Sequence, residues 1–379
     1  MGKSEELAGI LEQHRRWIAS GGNSGKRADL SGAHLDGIDF TGTDLSGAVL
    51  QGASLQGADL TGAQLVHTDL RDADLRGARL ARANLVLTDF SSADLRGADL
   101  AGAVPPEEKQ ELGQTRRGPR FQDADLREAN LRAAYCYMSD FSGASLGGAV
   151  LAEANLGRSN LAGNALAGID FRGADLTNGN LQGSDLARAD LRGARLIHAN
   201  LQGATLSNAD VSGAFMQSAN FADAKVDGIR YDRKAFFRGI RVSSCYGSSR
   251  FRRYAEDQDY IEECKEAHPY YYRLWLWLTD CGRSMGRVVL WCAGLALFFA
   301  LIFYAMGEHA FEISNKETLG WGLFHMIYYS VVTFTTLGFG DITPRTPLAA
   351  ALVMVEVVTG YLMLGILISI LATTVARRS

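Results

Sequence analysis

The sequence predicts two structural classes in one chain: a solenoid that turns a corner every five residues, followed by an all-helical membrane domain. Three observations predict it. A Leu or Phe stands at every fifth position from Leu30 to Leu100, and after an interruption the register resumes at Phe121 and runs to Tyr231. A period of five matches neither a helix nor a flat strand, but it suits a chain that bends at regular corners. Val288–Met306 and Pro347–Val375 form long apolar stretches, and between them stands the glycine-bearing run Thr336-Leu-Gly-Phe-Gly-Asp341.

Composition sets the outer bounds. The 379 residues carry 38 Lys and Arg against 42 Asp and Glu, so no global charge points to nucleic acid. Residues 28–231 hold 18 basic and 26 acidic residues, a net of −8, which leaves the remainder at +4. Five scattered cysteines without CxxC spacing predict reduced thiols rather than a disulfide framework or a zinc site. No apolar stretch near Met1 suits a secretory signal. The seven histidines and the acids form no triad, metal set or nucleotide motif, so neither an enzyme nor a cofactor is expected. Ser20–Lys26 superficially suggests a phosphate loop, but Ser20 replaces the first Gly and Arg27 the final Ser or Thr.

Taken in order, residues 4–20 place Leu7, Ile10, Leu11, His14, Trp17 and Ile18 near helical spacing, which predicts an amphipathic capping helix. The units that follow read Ala28-Asp-Leu-Ser-Gly, Ala33-His-Leu-Asp-Gly, Ile38-Asp-Phe-Thr-Gly and Thr43-Asp-Leu-Ser-Gly. In the second block Cys136, Val211, Met216 and Val226 take the central place. The central residue and the small one two positions earlier both point inward, because only a small neighbour leaves room for the large one.

These units closely resemble the pentapeptide-repeat family over more than half the chain. The resemblance implies a right-handed quadrilateral β-helix in which four units complete one coil. About nine coils at ~4.8 Å make a rod of roughly 45 Å. Stacked coils bury their faces only on one another, so the ends need caps; residues 4–20 and 232–249 are the candidates. The Pro-Pro insertion at 104–118 reads as a solvated loop or as a partner contact. Residues 250–267 predict a polar connecting helix that Pro269 ends. Residues 269–287, rich in Tyr and Trp and flanked by Arg273, Arg283 and Arg287, predict a helix at the headgroup level or one packed into the connector.

Val288–Met306 has no charge in nineteen residues, or ~28 Å of helix, enough to cross a bilayer core. In the second span Glu356 is the one ionisable acid or base. Arg283 and Arg287 precede the first span and Arg377 and Arg378 follow the second, whereas Gly307–Thr318 carries three Glu and one Lys. Both termini and the rod are therefore expected in the cytoplasm. The expected domains are a capping helix (1–27), a β-helix (28–231, with an insertion at 104–118), a cap, connector and interfacial helix (232–287), and a pore domain (288–379).

The segment Gly320–Pro344 resembles the re-entrant pore loop and selectivity filter of two-transmembrane-helix potassium channels, with Leu337 and Phe339 in place of the family's Val and Tyr. The physics of the run agrees. A potassium ion sheds its water only if several oxygens replace it at once. Aiming successive carbonyls at one axis requires left-handed dihedrals at alternate residues, which Gly338 and Gly340 permit. The resemblance implies potassium binding at Thr336, Leu337, Gly338, Phe339 and Gly340, with Asp341 at the filter mouth. Potassium is then the permeant ion and not a cofactor. The place where some relatives pair a carboxylate with this Asp holds Val332 here, so Tyr328 or Tyr329 is the candidate partner.

One chain supplies one filter strand, so the resemblance also implies a homotetramer in the plasma (inner) membrane of a bacterium. Its partners are then copies of itself, the lipid bilayer and potassium, with no nucleic acid. Gly360 is a candidate gating hinge or a close-packing glycine. Glu356 is a candidate functional acid that either faces the cavity or is protonated or hydrogen-bonded behind the filter. No helix carries the regular Arg or Lys of a voltage sensor, so control is expected through the rod, which serves assembly or regulation. Two other functions fit part of the pattern: a DNA-mimicking topoisomerase inhibitor and a membrane-anchored scaffold. Neither accounts for Thr336–Asp341.

Overall fold

The computed structural model describes residues 3–103, 117–314 and 321–376. Most of the insertion 104–118, the loop residues Lys316, Glu317 and Gly320, and the terminal Arg377 and Arg378 lie outside the described residues. The chain divides into two compact units, Met1–Glu262 and Glu263–Ser379.

In the first unit each five-residue repeat makes one side of a four-sided coil, and one residue of the repeat bridges to its counterpart about 20 positions on. Along one side Asp29, Val49, Asp69 and Asp89 stack, and the same column continues through Arg120, Asp140, Asn160, Asn180, Asn200 and Asn220 to Arg241. All these bridges are parallel. Backbone bonds run from coil to coil, as from the Leu30 amide to the Val49 carbonyl (2.7 Å) and from the Val49 amide to the Ala28 carbonyl (3.0 Å). The carboxylates at the bridge positions close the corners, Asp39 Oδ1 accepting from the Thr41 amide at 2.9 Å. Most backbone groups of a coil are thus met by the coil above, the coil below or its own corner.

The interior is the predicted one. Leu45, Leu126, Leu181 and Phe171 are fully buried, and so are the small residues Ala58, Ala129 and Ala204. Phe90, Phe121 and Phe141 form a stack with ring centroids 5.4 and 4.9 Å apart. The insertion leaves the stack in register: Asp89, Asp94 and Asp99 pair with Arg120, Asp125 and Asn130.

At one end α1 (Lys3–Ala19) lays Leu7, Ile10 and Leu11 on the first coils. Buried His14 accepts the Ala28 amide on Nδ1 at 3.1 Å. At the other end the expectation needs correcting. Residues 232–246 are not a cap but more of the β-helix: Phe215, Asn220 and Lys225 bridge to Phe236, Arg241 and Tyr246, and Ala235, Phe237, Val242 and Cys245 are buried. One extra residue after Tyr231 shifts the register there and hides the repeat from a strict count of five. The cap is α2 (Ser249–Ala267), whose Phe251 and Ala255 join the core. Orphan amides of the last coil are taken by its carboxylates, Gly239 N by Asp259 (2.6 Å) and Phe237 N by Glu262 (3.3 Å).

The second unit holds α3 (Pro269–Thr279), α4 (Met285–Met306), α5 (Leu323–Phe334) and α6 (Pro347–Ala376). Strands β1 (Phe311–Ile313) and β2 (Ile342–Pro344) pair antiparallel, with Glu312 opposite Thr343. On α3, Tyr270, Tyr271, Leu274 and Trp277 are exposed. Trp277 packs on Trp291 of α4 with centroids 4.0 Å apart. Helices α4 and α6 are long and apolar enough to cross a membrane, and only 28% and 17% of their apolar windows are covered by this chain. Such surface needs lipid or another subunit against it.

Candidate pore-loop filter

The short helix α5 sits against both long helices. Met326, Tyr329, Ser330, Val332 and Phe334 are buried, with Phe299 and Phe303 of α4 in the same apolar cluster as Met326 and Tyr329. Where α5 ends, the backbone turns over its own C-terminus. The Thr335 amide and hydroxyl both donate to the Val331 carbonyl, at 3.0 and 2.7 Å. The Thr336 amide donates to Thr333 O at 3.0 Å and the Leu337 amide to Val332 O at 3.0 Å. The amides at the head of the run are thus spent on the helix. Among the described residues no backbone amide donates to the carbonyls of Thr336 through Gly340.

Backbone angles give the run its chemistry. Positive φ falls on alternate residues: Thr336 at 62°, Gly338 at 45° and Gly340 at 76°. Alternation of this kind turns consecutive carbonyls from opposite sides of a strand toward the same side. Glycine makes it inexpensive at 338 and 340. The left-handed Thr336 is a third such position that residue type did not reveal. The helix α5 also directs the negative end of its peptide dipole toward this loop.

The far end of the run is fastened separately. Asp341 Oδ2 accepts from the Tyr328 hydroxyl at 2.9 Å, so of the two tyrosine candidates the structure selects Tyr328. The Asp341 carbonyl accepts from Ser314 N (2.9 Å), and the Arg345 amide donates to Ala310 O (2.8 Å). Together with the β1–β2 pairing, these bonds tie the exit of the loop to the segment after α4. The sequence offered no sign of this strap, because three-residue strands carry no readable alternation. Leu337 and Phe339 are each 65% exposed, so this chain alone does not wedge them.

Glu356 on α6 is buried and lies against the Ser330 hydroxyl of α5. Ser330 Oγ is also 2.7 Å from the Ala296 carbonyl of α4. Of the alternatives for Glu356, the structure places it in a hydrogen-bonded contact behind the loop. Gly360 lies one turn on, where an added Cβ would overlap the Phe334 carbonyl. The missing Cβ thus allows the close approach of the Phe334 carbonyl, and α6 runs unbroken past it. Ser330 was not foreseen, since one Ser within an apolar helix gives no periodic signal.

With this geometry in place, similarity to known proteins becomes informative. Residues 291–377 match the ion-channel family, and eight copies of pentapeptide repeats match between residues 26 and 229. The chain joins pentapeptide repeats to an ion-channel pore module. Two-pore potassium channel 1 of Arabidopsis thaliana is 29% identical over 91 residues, which cover 24% of this chain and 24% of that one. The chain thus spans about a quarter of the length of that relative. Among solved structures, the pentapeptide-repeat protein HetL of the cyanobacterium Nostoc is 26% identical, covering 62% of this chain and 96% of its own, with a TM-score of 0.26. Rfr23, a pentapeptide-repeat protein of the cyanobacterium Cyanothece, is 25% identical over 41% of this chain and 89% of its own, with a TM-score of 0.19. The pore module begins within α4, so the match takes in both apolar helices and the loop between them.

Proposed function

We propose that four copies of this chain assemble a potassium-selective pore whose filter is Thr336–Gly340, with Asp341 at its mouth. The observation that carries the reading is the run of alternating left-handed residues, whose leading amides bond back to α5 and whose carbonyls have no amide partner among the described residues. Oxygens left free in this way suit a dehydrated cation. One strand offers oxygens from one side only, and four around an axis complete the shell. The exposure of Leu337 and Phe339 supports assembly, since a neighbouring subunit can cover them.

In this reading α4 and α6 span the plasma membrane with both termini cytoplasmic. The β-helix then lies in the cytosol as a platform for assembly or regulation, and gating proceeds without a voltage sensor. Purified protein in liposomes tests the proposal. Potassium efflux should exceed sodium efflux by at least tenfold and should stop with internal or external barium. Equal passage of sodium and potassium would reject the filter, and the absence of any flux would favour a membrane-anchored scaffold.

A further inference from the structure

We propose that Glu356 is held as a neutral carboxylic acid, and that the bonded series from Glu356 through Ser330 to the Ala296 carbonyl pins α5 between α4 and α6. The argument is a count of protons. The Ser330 hydroxyl has one hydrogen and lies against two oxygens, Ala296 O at 2.7 Å and Glu356 Oε1. A carbonyl can only accept, so the hydroxyl hydrogen that points to Ala296 leaves the Ser330–Glu356 contact without a proton unless the acid supplies it. Reversing the hydroxyl to serve an ionised Glu356 would leave two bare oxygens facing each other at Ala296. Only the neutral acid satisfies both contacts.

The surroundings agree. Glu356 is fully buried, and its second oxygen, Oε2, is buried without a hydrogen-bond partner. An ionised carboxylate would leave charge unpaired in an apolar interior, which is far more costly than one weakly satisfied carbonyl oxygen. No described cation bonds to it. Helix α4 has no charged residue between Arg287 and Glu308, and its Cys292 and Tyr304 are a turn or more from Ala296. On α5 the titratable group beside Glu356 is Tyr329, which lies close enough to interact electrostatically with it. On α6 itself Tyr361 is exposed.

The position of this linkage gives it a role. Ser330 lies six residues before Thr336, on the helix whose last carbonyls hold the head of the filter. Fixing Ser330 to both long helices fixes the rotation of α5, and with it the direction in which the filter carbonyls face. Glu356 is in this sense a positioning residue, two helices joined through one hydroxyl, and it need not touch an ion.

Infrared spectra of the purified protein in lipid test the assignment directly. Near neutral pH the difference between wild type and Glu356→Gln should contain the carbonyl band of a protonated carboxyl; a carboxylate band in its place would overturn the proposal. Liposome flux tests the role. Glu356→Gln, whose amide can donate to Ser330 as the acid does, should keep the potassium-over-sodium ratio. Glu356→Ala should lower that ratio by roughly tenfold, since Ser330 keeps the Ala296 bond but loses its tie to α6. Should Glu356→Ala fail to assemble, Ser330→Ala breaks the same series and should lower the ratio likewise. A Gln variant as poor as the Ala variant, or an Ala variant equal to wild type, would reject the positioning role. The flux arm rests on the channel reading and the infrared arm does not. A protein that passes no ions yet shows the protonated band would reject the channel and keep the acid.

Discussion

The β-helix and the pore module satisfy their backbones in opposite ways. In the β-helix every coil supplies what its neighbour lacks, and α1 and α2 complete the two ends. The central Leu and Phe side chains of its repeats are buried to the last few per cent within a single chain. In the pore module a five-residue run has carbonyls without amide partners among the described residues, two exposed apolar side chains, and long helices mostly uncovered. Unsatisfied groups in a fold that otherwise packs well mark the surfaces meant for something else. In the proposed channel those are an ion, neighbouring subunits and lipid. The β-helix closes its interior within one chain, and in the proposed tetramer the pore module supplies a quarter of a site.

The sharpest way to break this contrast is to remove the backbone freedom of the proposed filter while leaving the β-helix untouched. Gly340 has φ 76° and open space where a Cβ would stand, so Gly340→Ala acts through the backbone and not through crowding. A left-handed Ala costs ~1–2 kcal/mol, or about 4–8 kcal/mol over the four subunits of the proposed tetramer. Potassium flux in liposomes should fall to the leak of empty vesicles, while the far-ultraviolet circular dichroism of the protein stays unchanged. A variant that conducts as well as wild type would show that this strand does not line the ion path.

A smaller effect is expected in the self-sufficient region. Leu181 is fully buried at the centre of one coil, with the stack continuing on both sides. Leu181→Ala should destabilise the β-helix by about 2–5 kcal/mol in urea unfolding, the range for a cavity that stacked coils cannot close. The neighbouring Gln182 faces outward, and its Ala variant should unfold with wild type. Equal midpoints for the two variants would mean that the interior is not packed as described.

The same contrast explains what the sequence disclosed. A repeat that satisfies itself must carry its rule in every unit, so Leu30 to Leu100 were readable at a glance. The glycine alternation was readable because only glycine accepts those angles cheaply, and asking what could hold Asp341 narrowed the choice to Tyr328 or Tyr329, between which the structure decides. What stayed hidden arises from single events. One extra residue after Tyr231 concealed a further coil. The meeting of Ser330 with Glu356 joins positions 26 apart on different helices, for which no local pattern exists. The left-handed Thr336 and the β1–β2 strap likewise follow from tertiary placement and leave no mark on composition.

The smallest expected effect concerns the end of the β-helix, where self-sufficiency depends on one titratable cap. His14 accepts the Ala28 amide on Nδ1 and stacks on Trp17 with centroids 5.6 Å apart. Burial holds its imidazole below the ordinary value, Asp44 pulls the other way, and Arg27 adds to the lowering. The folded chain therefore binds fewer protons at this site than the unfolded chain does, so stability rises with pH across the window between the lowered and the ordinary value. The cap is at full strength above the ordinary histidine value of about 6.5 and weakens as pH falls from there to the folded value, below which Nδ1 is protonated and the Ala28 bond is lost. Urea unfolding of the β-helix at about pH 7.5 and about pH 5.5 should show a lower midpoint in acid. In His14→Gln, whose side-chain oxygen can accept the same amide without titrating, that difference should shrink. An equal shift in wild type and variant would assign the acid sensitivity to other groups, and α1 would then cap the β-helix through Leu7, Ile10 and Leu11 alone.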